Sequence, residues 1–270
     1  MIPPPRHRIT RAVDRDWRRA TARLRRWPDF VIIGGMRCGT TSLYLWLCSH
    51  PGVTPSARDE IKYFDTRYRR GPQWYRSQFP LRRPGRITGE SSPYMLLHPL
   101  SPTRAVSDLP ESTRFIAMLR DPVERAISHY WYERRLQREP EDMVSALRLE
   151  PERLAPYGAR LARGEAPPEH RWWSYLTRGE YAPQLRRWFD VAGRHRVLVL
   201  DSQTVFADPD AAAQVTDWLG LPPNTQAFLH LNAVERREEA PAEAVDLLER
   251  HFAPYNEDLF DLLGTRLWGR

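Results

Sequence analysis

The sequence predicts an α/β protein with a central parallel sheet flanked by helices. Short runs of consecutive apolar residues alternate with longer helical patterns along the chain, which is typical of parallel strands joined by helices. The apolar runs do not alternate with polar residues, as expected of strands that are buried on both faces. The length of 270 residues suits one large domain.

The first half of the chain carries the clearest predicted elements. Residues 28–35 (PDFVIIGG) form the first strand, and residues 40–49 (TTSLYLWLCS) form a helix whose opening hydroxyl residues can cap it. Residues 86–88 are a short second strand candidate. Residues 114–119 (RFIAML) form the third strand. A helix over 123–136 then follows a proline, a residue favoured in the first helical turn.

The second half continues the alternation. Residues 196–200 (RVLVL) predict a fourth strand, and helices are expected near 209–219, 241–251 and 256–263. The segment 137–172 is rich in Pro, Glu and Arg and shows only one helical stretch. We interpret it as an insertion over the sheet, where contacts with a substrate are expected.

The chain begins with an arginine-rich segment that differs from the rest. Residues 1–27 are interpreted as a basic N-terminal arm, in which residues 11–26 are compatible with a surface helix. Residues 28–270 are interpreted as a single domain. The arm is expected to be a solvated segment packed at the domain edge; contact with an acidic acceptor or a membrane is the alternative.

The charge balance indicates anionic partners. The formal net charge is +7, the pI is near 9.7, and Lys62 is the only lysine. Nucleic acid, a membrane surface and a phosphorylated or sulfated ligand are all compatible with this charge. The excess of Arg over Lys, together with many Ala and Pro residues, indicates a GC-rich bacterial genome.

Cysteine usage and hydropathy predict a cytoplasmic protein. A disulfide between Cys38, in a glycine-rich turn, and Cys48, near the end of the next helix, would distort that helix. Free thiols and a reducing compartment are therefore expected. The sequence shows no secretory h-region and no apolar run of about 18 residues. It also shows no Cys and His spacing typical of a metal site.

The stretch GGMRCGTT has the features of a phosphate-binding turn. It follows a strand and opens a helix, where backbone N–H groups and the helix N-terminus bind anions. Gly34 and Gly39 have the spacing of a P-loop, so we predict a P-loop-like three-layer fold. Thr40 stands where nucleotide triphosphatases have a lysine that reaches the β- and γ-phosphates. The turn is therefore expected to bind one terminal phosphate through its amides and the hydroxyls of Thr40, Thr41 and Ser42.

The run PDFVIIGGMRCGTTSLYLWL resembles the 5′-phosphosulfate-binding loop of sulfotransferases that use 3′-phosphoadenosine 5′-phosphosulfate (PAPS), in the heparan-sulfate and bacterial carbohydrate branch. The resemblance implies that Arg37 contacts the 5′-phosphate and the oxygen bridging to sulfur, where many members carry lysine. Arginine supplies charge where the leaving oxygen becomes anionic, but it is a poorer proton donor than lysine. Arg37 is therefore assigned electrostatic stabilisation. The other loop positions assigned to PAPS are Cys38, Gly39, Thr40, Thr41 and Ser42.

The stretch RFIAMLRDPVERAISHYWYERR resembles the 3′-phosphate-binding element of the same family. The resemblance implies that Arg120 pairs with the 3′-phosphate and that Ser128 donates a hydrogen bond to it. Asp121 and Arg125 are expected to hold the turn by forming an ion pair. The order of the two motifs, about 80 residues apart, agrees with the family pattern.

The stretch RDEIKYFD resembles the Lys-Glu-x-His-Phe-Phe element of the family, whose glutamate is the catalytic base. This resemblance maps the base onto Glu60. Asp59 replaces the basic residue of the pattern, and Lys62 replaces its histidine or glutamine. Lys62 is expected to hold the sulfonate oxygens, lower the pKa of Glu60 or supply the proton that Arg37 does not; a surface lysine is the alternative.

Other positions have two interpretations each. Arg236 or Arg237 takes the third family contact, over the 3′-phosphate, or belongs to a solvated charge run. Ser91 and Ser92 in GESSPY bind a ligand or hold their loop. The aromatic residues of 172–175 stack on an acceptor or pack in the core.

The resemblance implies in-line transfer of a sulfonate from PAPS to an acceptor hydroxyl or amine, without a metal. The by-product is 3′-phosphoadenosine 5′-phosphate (PAP), and the acceptor is a carbohydrate, glycolipid or secondary metabolite. A nucleotide kinase, disfavoured by Thr40, and a non-catalytic binder of PAP or an anionic ligand are the alternatives. A nucleic-acid partner is not expected, because arginines are not interleaved with aromatics along one element. The oligomeric state is left open.

Overall fold

A parallel sheet of four strands lies at the centre of the structure, in the spatial order β2-β1-β3-β4. The computed structural model describes residues 14, 16–228 and 239–269. The strands are β1 (Phe30–Gly34), β2 (Gly89–Ser91), β3 (Arg114–Leu119) and β4 (Val197–Asp201).

Helices join the strands and cover both faces of the sheet. They are α1 (Thr40–Ser49), α2 (Tyr63–Thr66), α3 (Pro72–Arg76), α4 (Ser101–Asp108), α5 (Pro122–Arg135), α6 (Met143–Leu154), α7 (Gly158–Ala162), α8 (Pro168–Trp173), α9 (Tyr181–Ala192), α10 (Ser202–Ala207), α11 (Pro209–Trp218) and α12 (Ala242–Leu263).

The side chains of β1 show why the fold has three layers. All of its residues are buried, and successive side chains point to opposite faces of the strand. Phe30 and Ile32 pack in the cluster that includes α1 and α11. Val31 and Ile33 pack in the cluster that includes α4, α9 and α12. The predicted α/β fold, with a parallel sheet between two layers of helices, is confirmed.

Two predicted element boundaries were wrong. The second strand is not at 86–88 but at Gly89–Ser91, where the chain comes alongside β1. Within 86–88, Ile87 forms only an isolated bridge with Val53. The two helices predicted after residue 241 are one helix, α12, with Pro254 inside it. Burial of its apolar side supports the helix through the residues near the proline, although proline removes one backbone hydrogen bond.

The start of α1 also differs from the prediction. Gly39 is the N-cap residue, and no side chain makes a capping hydrogen bond. Gly39 has a φ of 79°, and a Cβ there would lie 2.4 Å from the ring of Phe206. A hydroxyl residue cannot take this position without strain, so the backbone turn itself begins the helix.

The segment 137–172 contains more helix than the single stretch predicted. It forms α6, α7 and α8, and α6 packs with α5 and α12 in a third apolar cluster. The buried carboxylate of Glu150 accepts hydrogen bonds from the backbone N–H groups of Leu176 (2.6 Å) and Thr177 (2.9 Å). These contacts tie α6 to the chain that leaves α8.

The described part of the arm packs against the body of the protein. Residues 16–20 are helical, and a short 3₁₀ turn follows at Ala22–Leu24. Arg25 is only 4% exposed, and its guanidinium donates to the carbonyl of Phe79 at 2.8 Å. The described residues contain no helix that is long and apolar enough to span a bilayer.

A buried carboxylate on β2 holds the segment that precedes α2. Glu90 is fully buried, and its Oε2 accepts hydrogen bonds from the N–H of Ile61 (3.1 Å) and the hydroxyl of Ser92 (2.7 Å). Its Oε1 accepts from the hydroxyl of Tyr75 at 2.8 Å. Ser92 in turn accepts from the N–H of Lys62 at 3.0 Å. Residues 60–62 are therefore positioned by a network that begins at the edge of the sheet.

Burial raises the pKa of Glu90 to about 7 from its ordinary value of 4.5, and three hydrogen bonds only partly oppose this shift. Between these pH values the folded protein keeps a proton that the unfolded chain releases. Stability present at acidic pH is therefore lost as the pH rises through this range, by about 3 kcal/mol for this group.

We expect Glu90→Gln to remove this part of the pH dependence. As the pH rises from 4.5 to 8, the wild-type protein should lose up to about 3 kcal/mol of unfolding free energy through Glu90, and the variant should not show this loss. Urea denaturation at both pH values measures the difference. The same substitution at exposed Glu249 should leave the wild-type profile unchanged. A parallel profile for Glu90→Gln would contradict the role of the buried carboxylate.

Candidate active site

The glycine turn between β1 and α1 is held from inside the protein. The N–H of Gly35 donates to the carbonyl of Met118 on β3, and the N–H of Cys38 donates to the carbonyl of Gly35 at 3.2 Å. The left-handed Gly39 completes the turn and starts α1. The first turn of α1, a site that favours anions, therefore follows the carboxyl end of β1 directly.

The side chains predicted to bind phosphate in this turn differ in how deeply they are buried. Thr40 and Ser42 are buried, and Thr41 is half-buried, all in the first turn of α1. The thiol of Cys38 is buried and lies 3.8 Å from the hydroxyl of Tyr181, so its side chain faces the core. Burial raises the pKa of this thiol. Cys38 therefore contributes packing under the turn rather than a side chain at its opening.

Arg37 links the two predicted phosphate elements. Its Nε donates a hydrogen bond of 3.1 Å to the hydroxyl of Ser128 on α5, which is 91 positions later in the chain. Its guanidinium also lies 4.9 Å from the ring centroid of Tyr132, one helical turn beyond Ser128. The structure therefore brings the residues assigned to the 5′- and 3′-phosphates to one place.

The electrostatics of this place fit an anion. Burial lowers the pKa of Arg37, and the positive charges of Arg120 and Arg135 lower it further. Like charges that converge in this way favour a bound anion, which stabilises all of them. Arg120 also pairs with Glu124 at 2.7 Å, and the hydroxyl of Tyr181 donates to its carbonyl at 3.0 Å. Arg120 is thus fixed at the carboxyl end of β3.

The predicted ion pair between Asp121 and Arg125 is not formed in the described structure. Asp121 instead caps α5, because its Oδ1 accepts from the N–H groups of Val123 (2.9 Å) and Glu124 (3.1 Å). The fully buried Arg125 donates to the carbonyl of Tyr175. Asp121 therefore starts the helix that carries Ser128, and Arg125 ties that helix to the segment after α8.

Glu60 and Lys62 form an ion pair in front of the sheet. The Nζ of Lys62 lies 2.7 Å from Oε2 of Glu60, and the two side chains are 34% and 39% exposed. Lys62 has a left-handed backbone, with φ of 57°. Such a conformation costs a non-glycine residue free energy and persists where neighbours enforce it. The network from Glu90 through Ser92 provides this enforcement.

A cleft of about 420 Å³ extends from the Glu60–Lys62 pair to Met36 and Tyr132. Arg37 is next to one of its lining residues, and Glu60 and Lys62 are part of its wall. The lining residues are Met36, Glu60, Lys62, Asp65, Ser92, Pro93, Tyr94, Tyr132, Glu133, Arg138, Pro168, Arg171, Trp172 and Arg178. The volume and the mixture of aromatic and charged walls suit a small-molecule or sugar-sized ligand.

The cleft contains charged residues that sequence reasoning did not assign to the site. Burial raises the pKa of Asp65, whose Oδ2 has no hydrogen-bond partner among the described residues. Burial also raises the pKa of Glu133 to about 7, although Arg138 opposes this shift. Burial lowers the pKa of Arg178 to about 10. These groups are candidates for hydrogen bonds to an acceptor.

Some signals for the missed residues were present in the sequence. Asp65 directly follows the element that carries Glu60 and Lys62, and Glu133 lies on the helix of Ser128. The sequence did not indicate the role of Glu90. Its partners Ile61 and Tyr75 are distant in the chain, and Ser92 was a candidate for binding a ligand.

The remaining predicted positions have different outcomes. The hydroxyl of Ser92 belongs to the Glu90 network and also lines the cleft, whereas the hydroxyl of Ser91 is buried without a partner among the described residues. Trp172 lines the cleft, and the fully buried Tyr175 packs in the core. Arg236 and Arg237 lie outside the described residues. No group of His, Cys, Asp and Glu within the described part of the chain is arranged to hold a metal ion.

Comparisons with known proteins find sulfotransferases. The chain is 32% identical over 211 residues to the bifunctional heparan sulfate N-deacetylase/N-sulfotransferase 4 of Mus musculus, covering 73% of this chain and 23% of that protein. It is 31% identical over 198 residues to the heparan sulfate glucosamine 3-O-sulfotransferase 6 of Homo sapiens, covering 73% of this chain and 53% of that protein. The chain thus spans about a quarter to a half of the length of these relatives.

A solved structure is similar over nearly its whole length. The crystal structure of a sulfotransferase from Alicyclobacillus acidocaldarius matches with a TM-score of 0.72 and 26% identity, covering 89% of this chain and 97% of that chain. The family model described as "Sulfotransferase domain" matches residues 27–244. This match covers both phosphate elements, the Glu60 segment and the cleft, and the chain belongs to the sulfotransferase domain family.

Proposed function

We propose that this protein transfers the sulfonate group of PAPS to a hydroxyl or amine of a carbohydrate acceptor. The observation that carries the proposal is the single cleft, which runs from Met36, next to Arg37, to the Glu60–Lys62 pair. Donor and acceptor groups would meet between these two ends. The names of the heparan sulfate relatives support a carbohydrate as the acceptor class.

The phosphate elements support PAPS as the donor. In this proposal Arg37 and the first turn of α1 bind the 5′-phosphate, and Arg120 with Ser128 binds the 3′-phosphate. The hydrogen bond from Arg37 to Ser128 supports a joint site for the two phosphates. The converging arginine charges favour an anion at this position. Thr40 in place of a phosphate-reaching lysine disfavours a triphosphate.

The proposed mechanism gives each of these side chains one role. Glu60 accepts the proton of the acceptor while the acceptor oxygen or nitrogen forms its bond to sulfur. Arg37 stabilises the negative charge that develops on the 5′-phosphate oxygen as its bond to sulfur breaks. The electron pair of that bond stays on the phosphate, and PAP leaves with it.

Lys62 completes this arrangement. Its ammonium lies 2.7 Å from the carboxylate of Glu60 and holds that carboxylate in position. When Glu60 takes up the proton, this attraction weakens and the ammonium becomes available to the sulfonate oxygens. Lysine is also the better proton donor of the two cations at the site, because the guanidinium of Arg37 does not deprotonate in proteins.

We expect the purified protein to bind PAP with a Kd on the order of 1–10 μM and to show little response to ATP in metal-free buffer. Arg120→Met should weaken PAP binding about 10- to 100-fold, because it removes a charge-assisted contact. Arg114→Met, at the opposite end of the same strand, is the matched control and should bind normally. Isothermal titration calorimetry measures all three, and a preference for ATP would overturn the donor assignment.

Glu60→Gln should lower kcat about 100- to 1,000-fold while PAP affinity stays unchanged, because only the proton acceptor is lost. The assay is PAPS-dependent product formation with the acceptor used best among glycosaminoglycans, aryl glycosides and glycolipids. The exposed neighbour gives the control Asp59→Asn, which should keep wild-type turnover. Unchanged turnover in Glu60→Gln would sink the assignment of the base. Binding of PAP without turnover on any acceptor would favour the non-catalytic binder.

Substitutions at Arg37 distinguish the effect of its positive charge on kcat from the effect of its side-chain shape. Arg37→Lys should keep kcat within about tenfold of wild type, because lysine retains the positive charge beside the leaving oxygen. Arg37→Met should lower kcat by about 100- to 1,000-fold. Single-turnover rates with saturating PAPS measure the effect on the chemical step. Equal losses in both variants would contradict an electrostatic role.

A further inference from the structure

The N-terminal arm and the chain around α3 form one continuous surface, here called the arm face, made of residues 16–27 and 66–86. Several hydrogen bonds connect its two parts. The N–H of Arg26 donates to the carbonyl of Pro80 at 3.0 Å, and the guanidinium of Arg76 donates to the carbonyl of Arg25 at 2.8 Å. The buried Arg25 side chain reaches Phe79 from the other direction. The surface is therefore part of the folded body.

The arm face accounts for the net positive charge of the protein. Residues 66–86 contain seven arginines and no acidic residue, and residues 16–27 contain five arginines and one aspartate. The net charge of the whole chain is +7, so the rest of the chain is net negative. Seven of these arginines are exposed, namely Arg19, Arg23, Arg69, Arg70, Arg82, Arg83 and Arg86. This asymmetry orients the arm face toward a negatively charged partner.

Large apolar side chains are also exposed on the arm face. Trp17 is 59% exposed, Leu24 is 66% exposed and Leu81 is 41% exposed. Elsewhere in the described structure only Leu136 and Val191 are comparable, at 38% each. Exposed Trp and Leu among arginines are typical of segments that lie at a lipid interface.

The arm face has a cavity that suits a lipid head group. It measures about 410 Å³ and is lined by Arg19, Arg70, Gln73 and Trp74. The guanidinium of Arg70 lies 4.9 Å from the ring centroid of Trp74. Two arginines supply phosphate contacts, and the aromatic ring supplies the amphipathic wall that interfacial sites use.

We propose that the arm face docks this protein onto an anionic membrane surface. Arginines bind the phosphate head groups, while Trp17, Leu24 and Leu81 enter the boundary between head groups and acyl chains. The apolar side chains favour a bilayer over a soluble polyanion or nucleic acid, because neither of those provides an apolar layer for them. The inference does not depend on the sulfotransfer reaction, since the arm face lies outside the proposed catalytic residues.

The first test is co-sedimentation of the full chain with vesicles. Binding is expected to vesicles of phosphatidylglycerol and phosphatidylcholine, and not to vesicles of phosphatidylcholine alone. R82E/R83E should weaken the partition coefficient by roughly thirtyfold or more, because each arginine near the surface contributes to the attraction. R148E/R250E makes the same charge change on α6 and α12 and should bind within about twofold of wild type.

A second pair of variants tests the apolar contacts. W17A/L24A should weaken vesicle binding about tenfold, because two exposed apolar groups no longer enter the interface. L136A/V191A removes comparably exposed residues elsewhere and should have no effect. Far-UV circular dichroism and cooperative urea unfolding show that each variant is folded. Tight binding to soluble heparin without partition onto vesicles, or vesicle binding that is insensitive to W17A/L24A, would overturn the proposal in favour of a soluble polyanion.

Discussion

The buried carboxylate of Glu90 is the interaction on which the candidate active site depends. It lies on a short strand at the edge of the sheet and receives hydrogen bonds from Ile61, Ser92 and Tyr75. A buried charge is costly unless such donors surround it, and the three hydrogen bonds offset part of that cost. Through these hydrogen bonds, the irregular chain that carries Glu60 and Lys62 acquires a fixed position relative to the strands.

The second organising feature is the meeting of strand ends. Because the strands are parallel, the turn after β1 and the turn after β3 leave the sheet at the same edge. The first turn presents Arg37, the second presents Arg120, and α5 brings Ser128 to Arg37. The positive charges of Arg37, Arg120 and Arg135 thus converge, which is unfavourable by itself and becomes favourable when an anion binds. The cleft beside them adds carboxylates whose proton affinity is raised by burial, next to a basic wall.

Features that depend on neighbouring residues were predicted closely from the sequence, whereas features that depend on contacts between distant segments were not. The strands at β1, β3 and β4 were predicted closely, because a strand buried on both faces leaves a local run of apolar residues. β2 was displaced, because three residues beginning with glycine are a strand only through pairing with β1. The separate helices predicted at the C-terminus are continuous in α12, since tertiary packing outweighs the local effect of Pro254. Asp121 caps a helix instead of pairing with Arg125, because the buried guanidinium reaches a carbonyl 50 residues away.

The sequence by itself determined the fold class, the resemblance to the family and the positions of the two predicted phosphate elements, because each depends on residues that are close together in the chain. It also contained the positive charge of the arm and of residues 66–86. The tertiary structure decided that these two stretches form one surface, and that Glu90 supports residues 60–62. It also placed Asp65, Glu133 and Arg178 in the cleft. Burial and the approach of distant segments set these properties, because hydrogen bonding, desolvation and charge interaction act through space rather than along the chain.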